Sequence, residues 1–209
     1  MAITINYFKM KNTNRCLFCK SFISADRPCC KNCNYLLALR PHKKKLQNNC
    51  ICMSLFRYEG EYRNAVLRYK SGRKFKFMTK SYAMILNRTI SDYYSGIDFD
   101  FYTAVPCSDK LFCYDRITDL AKETARLGKS EFKQCLCQTK KKKIQHSLNC
   151  GERSSNVDNI FKCIDGIDIK GKTILLFDDV ITTGSTLTAC SDELLRNGAK
   201  KVYCVTINW

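Results

Sequence analysis

Thr173-Ile174-Leu175-Leu176-Phe177-Asp178-Asp179-Val180-Ile181-Thr182-Thr183-Gly184-Ser185-Thr186 is the stretch that decides the fold. It opens as an unbroken apolar run, the pattern of a strand buried on both faces. Two adjacent carboxylates stand at its end. A turn of small and hydroxyl-bearing residues follows and leads into a helix. Such a turn offers backbone N–H groups, hydroxyls and a helix N-terminus to one spot, which favours a phosphate dianion. Gly184 lets the backbone approach closely. Asp178 and Asp179 would repel a bare phosphate but can accept hydrogen bonds from vicinal sugar hydroxyls. A sugar phosphate satisfies both halves of the stretch. The G-x4-G-K-[ST] loop is absent, which disfavours a nucleoside triphosphatase. Ordinary helix capping explains the turn but does not require two successive Asp on an apolar strand.

Strands and helices alternate around this stretch. Residues 101–105 read as a strand stopped by Pro106. Ile117, Leu120, Ala121 and Thr124 mark a helix closed by Gly128. Residues 173–177 form the strand above, 186–196 a helix ended by Gly198, and 202–207 a last strand. Further upstream, 55–58 reads as a short strand. Residues 61–69 turn helical, with Tyr62, Ala65, Val66 and Tyr69 on one face. Met78, Tyr82, Ile85, Leu86 and Ile90 line a second helix. This alternation predicts an α/β fold with a parallel sheet covered by helices, and ligands bind beyond the carboxyl ends of such strands.

The 209 residues suit one medium α/β domain plus a small appendage. The net charge of +17 is unevenly spread. Residues 1–88 hold 19 Lys/Arg against 3 Asp/Glu, whereas residues 89–209 hold 17 against 16. A basic first part points to a polyanion, with nucleic acid the obvious candidate. Aromatics interleave with the cations at Phe56, Tyr58, Tyr69, Phe75 and Phe77, where bases of a single strand could stack. The nucleic-acid candidates are Lys43, Lys44, Lys45, Arg63, Arg68, Lys70, Arg73, Lys74 and the run Lys140, Lys141, Lys142, Lys143. A solvated basic surface is the plainer alternative. His42 and His146 are cast as surface or hydrogen-bonding residues, not catalytic bases. No apolar run approaches the roughly 18 residues of a membrane span. The start shows no signal-peptide pattern, so the expected location is cytoplasmic.

Fifteen Cys, an odd number without a secretion signal, argue for metal ligation and buried thiols over a disulfide framework. Cys16-x2-Cys19 and Cys30-x2-Cys33 form two knuckles of equal spacing, which suits four thiolates around a structural zinc. So short a segment would draw its folding energy from the metal. Cys29 could substitute for Cys30. Cys50 and Cys52 stay open between metal ligands and spare thiols, their spacing being poor for a knuckle. The expected division is a zinc-binding basic module over 1–54 and the α/β domain over 55–209.

Residues 178–186 resemble the phosphoribosyl-pyrophosphate (PRPP) loop of type I phosphoribosyltransferases, and the chain as a whole resembles the ComF-type branch, the competence proteins of bacterial DNA uptake. The resemblance rests on the paired knuckles, Phe56-x-Tyr58, Tyr69-Lys70, Ala104-Val105-Pro106, Gln145 with Leu148, Arg153, Asn156-Val157 and Phe161, in that order. The Arg-Gly-Phe-Asn-Gln element usual before the first core helix departs here to Phe112-Cys113-Tyr114-Asp115-Arg116. The resemblance implies a type I phosphoribosyltransferase fold with a small N-terminal zinc module. It implies that Asp178 and Asp179 bind the ribose hydroxyls and that Thr182 to Thr186 hold the 5′-phosphate. The loop after Val105, with Cys107, Ser108 and Asp109, would face the pyrophosphate, and Mg²⁺ would ride on PRPP itself. The implied role is handling single-stranded DNA during uptake and transformation, together with DNA-uptake machinery. The alternative is an active salvage transferase that moves 5-phosphoribose to a base and releases pyrophosphate.

Overall fold

The computed structural model describes residues 13–38, 40–71, 77–107, 115–139 and 160–209. A small hairpin of β1 (Thr13–Arg15) and β2 (Phe22–Ser24) carries the first knuckle, and a 3-10 helix, Lys31–Leu37, starts within the second and includes Cys33. The chain then gives β3 (His42–Lys45), β4 (Ile51–Phe56), α1 (Gly60–Lys70), α2 (Phe77–Tyr93), β5 (Phe101–Ala104) and α3 (Arg116–Gly128). It finishes with β6 (Leu136–Gln138), β7 (Phe161–Cys163), β8 (Thr173–Val180), α4 (Ser185–Arg196) and β9 (Lys201–Asn208).

Five strands form the main sheet in the order β3-β4-β9-β8-β5. Only β3 runs antiparallel to its neighbour. The strand β8 lies inside the sheet, and side-chain alternation sends its residues to two cores. Leu175 and Phe177 join Leu55, Val66, Tyr82, Leu86 and Leu120 on the face covered by α1, α2 and α3. Ile174 and Leu176 join Cys190, Leu194 and Cys204 on the face covered by α4. Burial on both sides is why β8 carries no polar residue between Thr173 and Asp178. Each such fully buried Leu, Ile or Phe stabilises the fold by about 1.5–3 kcal/mol. Among the described residues no helix is long and apolar enough to cross a membrane.

Several elements differ from the sequence reading. The strand expected at 55–58 begins earlier, at Ile51, and pairs with β9 from Ile51↔Tyr203 to Phe56↔Asn208. Cys52 is fully buried in it and Cys50 nearly so, as core thiols. The expected division after residue 54 falls inside this strand. The helix expected to close at Gly128 ends there, but Lys129, not the glycine, makes the left-handed turn at φ 55°. Gly128 serves instead at the α2–α3 crossing, where a Cβ would lie 2.7 Å from Asn87 Oδ1. The ribbon of β6 and β7 went unseen because three-residue strands carry too little alternation to register.

The cysteine-bearing N-terminal segment packs onto the α/β body. Phe18 meets Phe56 and Tyr62 edge-on at 6.3 and 6.0 Å. Tyr62 donates to the Leu36 carbonyl at 3.0 Å, and Asn14 Nδ2 donates to Ser81 Oγ at 3.1 Å. Cys16, Leu17, Phe18 and Cys29 are part of the larger core.

Candidate functional site

Cys16, Cys19, Cys30 and Cys33 have sulfur atoms all within 4.8 Å of one another. Local hydrogen bonds shape each knuckle: Cys16 N–H donates to Ser21 O, Lys20 N–H to Cys16 O, and Cys33 N–H to Cys30 O. The Cys19 and Cys30 sulfurs are 3.6 Å apart, a spacing suited to two thiolates each about 2.3 Å from one tetrahedral zinc. Hydrogen bonding to Ser21 draws the Cys19 thiol down to about 6, toward the thiolate that a metal needs. The donor set fits zinc. Cys29 stands outside this cluster: it is buried, its thiol is pushed up to about 11 by that burial, and its sulfur lies 4.0 Å from Asn34 Oδ1. Cys30 is therefore the fourth member, and Cys50 and Cys52 are not members.

The carboxyl ends of β4, β9, β8 and β5 point the same way, and the turn after β8 stands among them. Ile181 N–H donates to Asn208 O at 2.9 Å, and the Ile181 side chain is buried in the core under α4. That anchor leaves Thr182, Thr183 and Ser185 exposed. Gly184 caps α4 at φ 90°, and a Cβ there would meet Leu46 Cδ2 at 2.9 Å, so position 184 needs glycine on both counts. Thr183 Oγ1 accepts from Ser185 N–H at 3.3 Å and lies 3.1 Å from Ser185 Oγ. From β3, Lys44 Nζ donates to Thr182 O at 2.6 Å and pins the turn from outside.

The two carboxylates have different surroundings. Asp179 pairs with Lys70 Nζ at 2.9 Å across the end of α1. Asp178 accepts the Asp179 N–H at 2.8 Å. Burial, with the neighbouring Asp179 charge adding to it, pushes the Asp178 carboxyl up to about 7. A cavity of about 310 Å³ opens beside them, with Asp178, Asp179, Ser185 and Thr186 on its wall. Val105, Pro106 and Cys107 after β5, and residues 115–117 at the start of α3, form more of that wall. Phe161, Ile160 and Gln138 close it from the β6–β7 ribbon. The cavity thus combines carboxylate acceptors, hydroxyls, a helix start and an apolar flank.

The other expected residues divide. Cys107 reaches the cavity, while Ser108 and Asp109 lie outside the described residues, as do Arg73, Lys74, Lys140 to Lys143, Gln145, His146, Leu148, Arg153, Asn156 and Val157. Lys43, Lys45 and Arg63 are exposed, Arg63 lying over the Tyr58 ring at 5.7 Å. Arg68 turns inward and donates to the Leu17 and Phe18 carbonyls of the first knuckle at 3.3 and 2.8 Å. Lys70 and Lys44 are engaged at the acidic pair and the turn. His42 stacks on Trp209 at 3.9 Å. Sequence reasoning missed Arg116 and Gln138 on the cavity wall. The signal for Arg116 was present, since it closes the element that departs from the family pattern.

Residues 121–208 match the model of the phosphoribosyl transferase domain. "DNA utilization protein YhgH" of Escherichia coli K12 is 34% identical over 74 residues, 34% of this chain and 32% of that protein. A ribose-phosphate pyrophosphokinase of Thermoplasma volcanium is 30% identical over 122 residues, 58% of this chain and 35% of that enzyme. The matches thus span about a third of the length of these curated relatives. Among solved structures, phosphoribosylpyrophosphate synthetase from Mycobacterium smegmatis overlaps 60% of this chain and 32% of its own at 22% identity and a TM-score of 0.38. Residues 121–208 thus match a phosphoribosyl transferase domain, and the mostly parallel α/β sheet agrees with the expected fold. With the four-cysteine cluster before that domain and the DNA utilization relatives, the chain fits a ComF-type protein.

Proposed function

We propose that the chain binds PRPP in the cavity at the end of β8 and acts on single-stranded DNA during DNA uptake, as a cytoplasmic competence-type protein. The observation that carries this reading is the acid pair and hydroxyl-lined turn opening on one cavity within a phosphoribosyl transferase domain. In this reading the ribose hydroxyls donate to Asp178 and Asp179, and the 5′-phosphate sits at Ser185 and Thr186. The stretch from Val105 to Cys107 lies toward the pyrophosphate. Mg²⁺ arrives on the ligand's own oxygens, since hard phosphate oxygens and water suit it better than a protein cage. Zinc at the four cysteines supplies folding energy to the N-terminal segment. The charge asymmetry and the name of the DNA utilization relatives support the nucleic-acid half of the reading. Lys43, Lys45 and Arg63 are its exposed contact candidates; uptake-machinery proteins are its proposed partners.

Pyrophosphate release with a panel of nitrogenous bases separates this reading from a salvage transferase, which the intact phosphate turn also suits. The proposal predicts binding of single-stranded DNA at low salt without base-dependent pyrophosphate release. Rapid release with one base, and no DNA binding, would establish the salvage reading in its place.

A further inference from the structure

We propose that Arg68 is a positioning residue for the sugar-phosphate cavity, an inference that rests on the PRPP reading of that cavity. It ties the last turn of α1 to the first cysteine knuckle and so stations Lys70 on Asp179. Successive side chains on a helix point about 100° apart around its axis. Three consecutive residues of this turn accordingly reach three parts of the molecule. Arg68 Nη2 donates to the Phe18 carbonyl at 2.8 Å and to the Leu17 carbonyl at 3.3 Å, both between Cys16 and Cys19. Its Nε is shut off from solvent. Tyr69 is fully buried, its hydroxyl 3.0 Å from the Arg116 carbonyl and 3.1 Å from Thr79 Oγ1. Lys70 Nζ lies 2.9 Å from Asp179 Oδ2.

The three residues move as one piece. Ser71 closes the turn, its N–H and its hydroxyl donating to the Arg68 carbonyl at 3.0 and 2.8 Å. Tyr69 fixes where the turn sits, and Arg68 and Lys70 flank it. A rotation that frees Arg68 from the knuckle therefore displaces Lys70 from the acid. A lysine ammonium on its flexible stem has no fixed direction of its own, so its place depends on the backbone beneath it. The fold thus joins the knuckle to the end of β8 through one helical turn.

That placement matters to an anionic ligand. Lys70 engages one oxygen of Asp179 and leaves lone pairs on the carboxylate for a sugar hydroxyl. It also offsets a negative charge next to the place where phosphate groups enter. Removing Lys70 weakens PRPP, and loosening it does so in part. A second tie between the same segment and the same helix provides the comparison. Tyr62 donates to the Leu36 carbonyl at 3.0 Å from the first turn of α1, about 12 Å along the axis from Lys70.

The test is a double-mutant cycle read by titration calorimetry with PRPP and Mg²⁺ on the full chain. The variants are Arg68→Met, Lys70→Met, the two together, and Tyr62→Phe, each matched to wild type in zinc content by atomic absorption. Coupling of the size usual between linked sites predicts PRPP affinity about fivefold or more weaker in Arg68→Met. Lys70→Met loses at least as much, and the double variant stays within about twofold of Lys70→Met, because Arg68 acts through Lys70. Tyr62→Phe stays within about twofold of wild type. Wild-type affinity in Arg68→Met, or losses that multiply in the double variant, overturns the proposal. Equal weakening in Tyr62→Phe also overturns it, since Arg68 is then ordinary anchorage of the N-terminal segment. Should Arg68→Met lose zinc or not fold, Arg68→Gln takes its place in the cycle and must give the same pattern. Wild type that binds no PRPP overturns the cavity reading, and this proposal with it.

Discussion

Asp178 and Asp179 adjoin in sequence and part company in environment. Asp179 meets an ammonium at 2.9 Å, while Asp178 meets mainly burial and its neighbour's charge. The raised Asp178 value has a definite linkage sign. A carboxyl whose folded pKa lies near 7 rather than near 3.8 binds more protons folded than unfolded between those values. Its stabilising contribution is complete below pH 4 and disappears as pH rises through about 7. Asp178→Asn should therefore flatten the fall in melting temperature between pH 4 and pH 7, read by differential scanning calorimetry. An unchanged pH slope in that variant contradicts the description of the site. The acid pair itself was plain in the sequence. The division of labour within it was not, because Lys70 reaches Asp179 from a helix more than a hundred positions away. Arg68 and Lys70 read as surface cations for the same reason: periodicity gives the buried face of α1 but not what lies over its flanks.

At the scale of elements, long periodic segments were the legible ones. Met78, Tyr82, Ile85, Leu86 and Ile90 are all buried on α2, as their spacing implies. The continuous apolar run of β8 gave a strand buried on both faces. The start of β4 was hidden because Cys50 and Cys52 carry two meanings, thiol ligand and small hydrophobe, and only packing against β9 decides between them. The knuckles were legible from spacing alone, but the choice between Cys29 and Cys30 needed coordinates. Cys29 points to Asn34, and Cys30 lies with the other three sulfurs. Cys30→Ser should lose bound zinc while Cys29→Ser keeps one equivalent per chain, measured by atomic absorption. Stripping the metal with a chelator should lower the melting temperature of wild type. Equal zinc loss in both variants would contradict the assignment.

For the whole molecule, the uneven charge was visible at once, yet its surface was not. Lys44, Arg68 and Lys70 hold the protein to itself, which leaves Lys43, Lys45 and Arg63 as the exposed members among the described nucleic-acid candidates. Binding to single-stranded DNA should weaken steeply with salt, and Lys43→Ala with Lys45→Ala should reduce the slope by about 1.4, or roughly 0.7 for each phosphate no longer neutralised. A flat salt response would remove nucleic acid from the account. The central claim is the phosphorylated-pentose cradle at the carboxyl end of the sheet, and calorimetric titration with PRPP and Mg²⁺ tests it most directly. Wild type is predicted to bind with one site per chain, and the Asp178→Ala, Asp179→Ala double variant, still folded by circular dichroism, to show no measurable binding. Equal affinity in the two proteins, or none in wild type, would contradict it.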